Sequence, residues 1–354
     1  MEDNQIDKEA IKSLAGIDSL YFFINTDCVE ELYHELYQNQ IVSNQLFDTA
    51  QYQSTFLGFS GKSKGFVGSW YEIKFNDIPI CKIGIKDPSK QKNINNLYLQ
   101  LIGAGIYSHG LLGCLNKVIT YINILLSSNF ILDDCIVSRL DINTFVGGVD
   151  FRSINAQCFK SSYMEFGEIN SYSDVNEIYT LYLGSQKSAK RFKIYNKVKE
   201  LMDKQSSLSS QIKKQWFINQ GFNPCAHLWN LEWTYKREFL RNYGLMTVKD
   251  IIDSFYSLLE FSFNDIRFLG FDSDKYKKLR KSSNIGRLKP HWLWSYLLNN
   301  AATNINDCFG NKTLNKLIKT AKKTHKEYYI TMINSYIEKA TINGYIISTD
   351  DIAI

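Results

Sequence analysis

The run Tyr182-Leu183-Gly184-Ser185-Gln186-Lys187-Ser188, continued by Arg191-Phe192-Lys193-Ile194-Tyr195-Asn196-Lys197, joins two strand-like segments through a polar loop. Side chains alternate across a strand, so residues two apart share a face. In the second segment, Lys190 to Lys197, Phe192 and Ile194 point one way; Arg191, Lys193, Tyr195 and Lys197 point the other. The same division recurs upstream and downstream. In Cys135 to Phe145, Ile136, Leu140 and Ile142 oppose Arg139, Asp141 and Asn143. In His227 to Glu238, Trp229, Leu231 and Trp233 oppose Asn230, Glu232, Thr234 and Lys236. Each strand has one apolar and one polar face.

Working outward, Ser19 to Ile24 reads as a strand and Val29 to Tyr37 as a helix. Phe66 to Phe75 and Ile80 to Ile85 alternate around Asn76-Asp77, a hairpin pattern. Asn96 to Ile102 is a further strand, and Leu111 to Leu126 has the spacing of a buried helix. Val198 to Trp216 reads as a helix with a polar Ser/Gln middle. Thr247 is placed to cap a helix carrying Val248, Ile251, Ile252, Phe255 and Leu259; Trp292 to Leu298 and Leu314 to Ile337 continue the helical pattern. Strands come first and helices later. This predicts an α+β fold: a central antiparallel sheet with flanking helices, then a mainly helical C-terminal region. The expected division is 1–130, 131–245 and 246–354.

If the three two-faced strands share a sheet, their polar faces form one surface holding Asp141, Glu232 and Tyr195 among Arg and Lys. Carboxylate oxygens suit Mg²⁺ or Mn²⁺, the cations suit a phosphate backbone, and a phenol is a usable nucleophile toward phosphorus. A free phenol has a pKa of about 10, and Lys193 and Lys197 are expected to favour its anion. An antiparallel sheet with one wet face shows the same alternation without any chemistry.

Charge is unevenly distributed. Residues 1–50 hold ten acidic and two basic residues, a net of −8; residues 271–326 hold 13 Lys/Arg and three Asp, a net of +10, in a chain whose total is +5. The basic block suggests a polyanionic partner or a solvated helix face. Its first part holds Lys275, Lys277, Lys278, Arg280, Lys281, Arg287 and Lys289. Its second part, from Lys312 through Lys316, Lys319, Lys322 and Lys323 to Lys326, has mostly helical spacing. Tyr276 and Trp292 are candidates for stacking on bases, with core packing the favoured reading for Trp292. The seven cysteines are scattered and form no CxxC, which argues against a disulfide framework or a zinc ribbon. The acidic N-terminus is unlike a signal peptide, and the longest apolar stretch, Val118 to Leu126, is too short to span a bilayer. A cytoplasmic protein without a membrane partner is expected. Gly103-Ala104-Gly105 lacks the third glycine of a dinucleotide-binding loop.

The 182–197 run resembles the "YxGSRxS…xRIYxK" motif of rolling-circle replication initiators, the trans-acting Rep proteins of small plasmids and related initiators of some filamentous phages. Ser138-Arg139-Leu140-Asp141-Ile142 resembles the family's "xRIDxA" strand, and Leu231-Glu232-Trp233-Thr234-Tyr235-Lys236-Arg237-Glu238 its "RxExxLKxER" strand. Order and spacing match over roughly residues 135–245. The resemblance implies a nicking core at 131–245, with 1–130 serving origin recognition or dimerisation. Tyr195 matches the nucleophile, which forms a 5′-phosphotyrosine and frees a 3′-OH. Asp141 and Glu232 match acidic positions that fit metal binding. Arg139, Lys187, Arg191, Lys193, Lys197 and Lys236 would contact DNA. The implied partners are duplex and single-stranded origin DNA, a second copy of the chain and a host helicase. Gln186 and Lys193 stand where Arg is usual, and Trp233-Thr234 is unusual in the third motif. Paired histidines are lacking, so carboxylates must hold any metal. Two other readings remain: a non-catalytic origin-binding initiator or regulator, and a metal-dependent nuclease that uses water.

Overall fold

Ten strands hydrogen-bond in one sheet, every neighbouring pair antiparallel. In chain order they are β1 (Lys12–Ile24), β2 (Tyr52–Ser60), β3 (Gly68–Phe75), β4 (Ile78–Lys86), β5 (Leu97–Leu101), β6 (Ile136–Gly147), β8 (Ile169–Asp174), β9 (Glu177–Leu183), β10 (Lys190–Asn196) and β11 (Leu228–Lys236). Their order in space is β2-β3-β4-β5-β1-β6-β11-β10-β9-β8. A separate ribbon pairs β7 (Phe159–Ser161) with β12 (Ile266–Phe268). The computed structural model describes residues 7–26, 32–33, 46–60, 68–87, 97–161, 169–174, 177–281, 288–303 and 309–314; side chains are not described at 169–174, 177–178 and 280–281. The helices expected at Val29 to Tyr37 and Leu314 to Ile337 lie almost wholly outside these residues. Residues Met1–Asn315 form one compact unit; the second unit, Lys316–Ile354, lies outside the described residues.

The expected α+β architecture is present, and local chemistry explains its pieces. Asn76 and Asp77 both adopt positive φ, 46° and 63°, as the tight turn between β3 and β4 requires. The helix expected from Leu111 begins earlier, as α1 (Gly103–Leu125), and kinks at Gly110, whose φ is 69°. Gly105 sits where a Cβ would come within 2.8 Å of the Ile80 backbone, so this glycine serves close helix–strand packing. Tyr107, in the first segment of α1, joins a small aromatic core with Phe145 and Phe217; Leu111, Leu115, Val118 and Ile122 of the second segment join the main core.

The single helix expected over Val198 to Trp216 is two, α2 (Lys197–Asp203) and α3 (Leu208–Asn219). The polar middle breaks it because the Ser207 hydroxyl accepts from the Ser210 N–H and caps a new helix. After β11 come α4 (Arg237–Asn242), α5 (Val248–Asp253), α6 (Phe255–Asp265), α7 (Ser273–Lys281) and α8 (Trp292–Thr303). Thr247 caps α5 as expected, in a reciprocal capping box with Asp250. Phe192, Trp233, Phe263 and Trp294 form a chain of tilted ring contacts, from the sheet's apolar face to α6 and then α8, at centroid distances of 4.8–5.1 Å.

Candidate active site

The three two-faced strands are adjacent, with β11 between β6 and β10. Their register aligns the polar residues in rows. Tyr195 pairs with Asn230, Lys193 with Glu232 and Arg191 with Thr234. Asn230 then pairs with Phe145, Glu232 with Asn143, Thr234 with Asp141 and Lys236 with Arg139. Asp141, Glu232 and Tyr195 therefore share one face, and Leu231, Trp233, Phe192 and Ile142 form the core beneath it.

This face is enclosed. Asp141 is 2% exposed, Glu232 6% and Tyr195 9%. The Tyr195 hydroxyl accepts from Lys197 Nζ at 3.1 Å and from Asn230 Nδ2 at 2.8 Å. Lys197 is itself only 1% exposed and holds the Glu200 carboxylate at 2.6 Å. Lys193 Nζ lies 2.8 Å from Glu232, and Arg139 donates two hydrogen bonds to Asp141, at 3.0 and 2.8 Å. Three of the cations expected on phosphate are thus partnered with carboxylates of the cluster. Arg191 lies over the Tyr182 ring at 4.0 Å. Lys187 is exposed on the hairpin loop, and the Lys236 ammonium donates to the Gln186 carbonyl, tying that loop to the end of β11.

Four further members carried no sequence signal. Asp18 falls where the β1–β6 register shifts between Ile17 and Ser19. The bulge turns this extra residue into the cluster, where it accepts from the Tyr107 hydroxyl at 2.8 Å. Tyr107 comes from α1, Glu200 from α2 and Lys213 from α3. Only the tertiary packing of these helices on the sheet brings them together.

Burial sets the proton affinities. It pushes the Tyr195 phenol well above the ordinary tyrosine range, and Glu232, Asp18 and Glu200 push the same way. The expected net lowering by Lys193 and Lys197 is therefore overturned: desolvation and three carboxylates outweigh them. Burial also raises Glu232, to about 7, with Lys193 opposing and Asp18 and Asp141 adding to the rise. Asp141 is raised by burial despite Arg139. Burial would raise Asp18 too, but Lys197, Lys213, Tyr107 and Lys193 outweigh it and hold it low. For Glu200, burial loses to Lys197 and Lys213, and its pKa falls to about 2.

The Glu200 shift has a sign that can be measured. Its folded pKa lies below the ordinary 4.5, so its contribution is fully present above pH 4.5 and is lost as pH falls through about 2. Glu200→Gln should remove on the order of 3 kcal/mol of the acid sensitivity in that window, read as a flatter plot of urea midpoint against pH. An unchanged slope would show that Glu200 is not held low.

Asp141, Glu232 and Asp18 carry the oxygen donors that a hard divalent cation takes and influence one another electrostatically. Among the described residues, no three His, Cys, Asp or Glu side chains come together as a ready ligand group. A cation held by Asp141 and Glu232 would therefore have to displace Arg139 and Lys193.

The described lysines of the basic block's first part lie apart from this cluster. Lys275, Lys277 and Lys278 are exposed on α7, and Lys289 is exposed beyond it. The side chains of Arg280, Lys281 and Arg287 lie outside the described residues, as do all the lysines of the second part except Lys312. Tyr276 is buried against Leu269 and its hydroxyl donates to the Leu269 carbonyl, so the expected base stacking by Tyr276 gives way to core packing. That contact anchors α7 next to β12, whose Phe268 packs against Trp294 on the apolar side of the sheet. Among the described residues no helix is long and apolar enough to cross a membrane.

No protein-family model matches the chain, and no curated protein matches it. Among solved structures, the chain is similar to the rolling circle replication initiator protein from Geobacillus stearothermophilus, with a TM-score of 0.43 and 10% sequence identity over 86% of this chain and 100% of that one.

Proposed function

We propose that this chain initiates rolling-circle replication by nicking one strand of origin DNA with Tyr195, acting as a dimer. The observation that carries the reading is the register that sets Tyr195, Glu232 and Asp141 on one polar face, in the motif order of the family the sequence resembles. In the reaction, the Tyr195 oxygen bonds to phosphorus as the P–O3′ bond breaks. The phenol loses a proton and the departing 3′ oxygen gains one, leaving a 5′-phosphotyrosine and a 3′-OH. Because the ring is nearly covered, the phosphate must enter the cluster and take Lys197 or Asn230 from the hydroxyl. Asp141 and Glu232 would hold Mg²⁺ or Mn²⁺, which when bound would stabilise charge on the phosphate and on the leaving oxygen. Lys275, Lys277, Lys278 and Lys289 are exposed and would meet duplex DNA through its backbone.

The test is a denaturing gel of the full chain incubated with supercoiled and single-stranded DNA of its own replicon. A covalent protein–DNA band is expected with Mn²⁺ and should vanish in chelator. A band that persists unchanged in chelator removes the metal role. The raised phenol of Tyr195 favours a second reading, a non-catalytic origin binder. That reading gives specific binding and no band.

A further inference from the structure

A cavity of about 140 Å³ opens beside the Tyr195 cluster, between β1, β6, α1 and α3. Its walls are the rings of Tyr107, Phe145 and Trp216, with centroids 4.9–6.3 Å apart. At its side lies Asn143, only 1% exposed. Asn143 is near enough to pull on the Tyr107 phenol, yet neither of its amide atoms meets a partner in hydrogen-bond geometry. A buried amide with both its nitrogen and its oxygen unmet is costly unless something completes it. The space in front of it is kept by Gly16, whose absent Cβ would lie 3.4 Å from Asn143 Oδ1. The mouth is formed by exposed Gly110, at the kink of α1, and by exposed Gln220.

We propose that this cavity takes an unstacked pyrimidine base of single-stranded nucleic acid, laid against its aromatic wall and read by the Asn143 amide. The inference rests on the nucleic-acid reading above and adds a base preference to it. Size favours one ring, since a cavity of roughly 150 Å³ holds benzene. Chemistry favours a base over a plain hydrocarbon: a pyrimidine edge offers a donor and an acceptor side by side, matching an amide, and its faces suit aromatic stacking. Position ties the cavity to the nucleophile. Phe145 pairs with Asn230, which donates to Tyr195, and Lys197 Nζ lies 5.7 Å from the Phe145 ring and 5.2 Å from the Tyr195 ring. Lys213, 5.5 Å from the Tyr107 ring, adds positive charge for the attached phosphate.

Fluorescence anisotropy of the full chain with short oligothymidylate, oligodeoxyadenylate and an abasic strand of equal length tests this. Wild type should bind oligothymidylate about tenfold tighter than oligodeoxyadenylate, the scale of one bidentate base contact, and the abasic strand most weakly. Asn143→Leu and, independently, Trp216→Ala on the half-buried face of α3 should each bring the ratio near one, with an unchanged circular dichroism spectrum reporting an intact fold. Equal affinity for all three strands, a purine preference, or a thymidylate preference that survives both substitutions overturns the pocket and leaves nicking untouched. Binding to none of the strands overturns the nucleic-acid reading itself and the pocket with it.

Discussion

Tyr195→Phe is expected to abolish the covalent DNA adduct while sparing DNA binding. Only the hydroxyl is removed, and no other described group on this face matches its place in the motif. Removing a nucleophile from a covalent enzyme costs on the order of a millionfold in rate, so on a gel the band should be absent. The fold should survive, weakened. The hydroxyl accepts from Lys197 and Asn230, and leaving a buried donor unmet costs roughly 1–3 kcal/mol. The assay therefore belongs well below the melting transition. An adduct that survives would move the nucleophile to another residue, with Tyr182, beside Lys193 in the sheet, the first to replace. Nicking that persists without any adduct would instead mark a nuclease that uses water.

The second large effect concerns stability. Lys197 is the innermost cation of the cluster, 1% exposed, between Glu200 and the Tyr195 hydroxyl. Lys197→Met keeps the stem and removes the charge, leaving Glu200 and Asp18 without the stronger of the two cations that lower both. Breaking a buried pair from one side costs about 3–5 kcal/mol, a fall in Tm on the order of 10 °C for a unit of this size. Adding Glu200→Gln should recover a large part of the loss, because the uncompensated charge is then gone. A single substitution that leaves the Tm unmoved would mean that Lys197 is not paired in solution.

These two residues also show where sequence reading succeeds and where it stops. Period-two alternation in 135–145, 190–197 and 227–238 was enough to assign faces, and the structure sets those faces in adjacent strands. The turn at Asn76-Asp77 and the cap at Thr247 were legible because their chemistry is local. Asp18 was not, since a bulge is a property of two strands and β1 reads as a strand only from Ser19 onward. Lys197 was legible as a cation next to Tyr195 but not as a buried one; α2, α3 and Glu200 decide that, and no pattern in the strand announces them. Proton affinity at Tyr195 went the same way. Two neighbouring lysines are visible in the sequence, whereas desolvation and the carboxylate at position 18 are not.

The order of strands in the sheet also bears on how the protein comes into being. Lys12 pairs with Gly147, and Lys190 pairs with Tyr235. The strand bearing Asp18 must wait for more than a hundred residues of synthesis before β6 exists to receive it, and the polar face closes only when β11, ending at Lys236, has emerged. Pairings this distant in sequence make folding slow. Until then the nascent chain carries Asp18 on a strand that lacks its cationic neighbours Lys193 and Lys197. The cluster on this face thus stays incomplete until about two-thirds of the chain has left the ribosome, and a prematurely terminated product ending before β11 would lack Asn230 and Glu232.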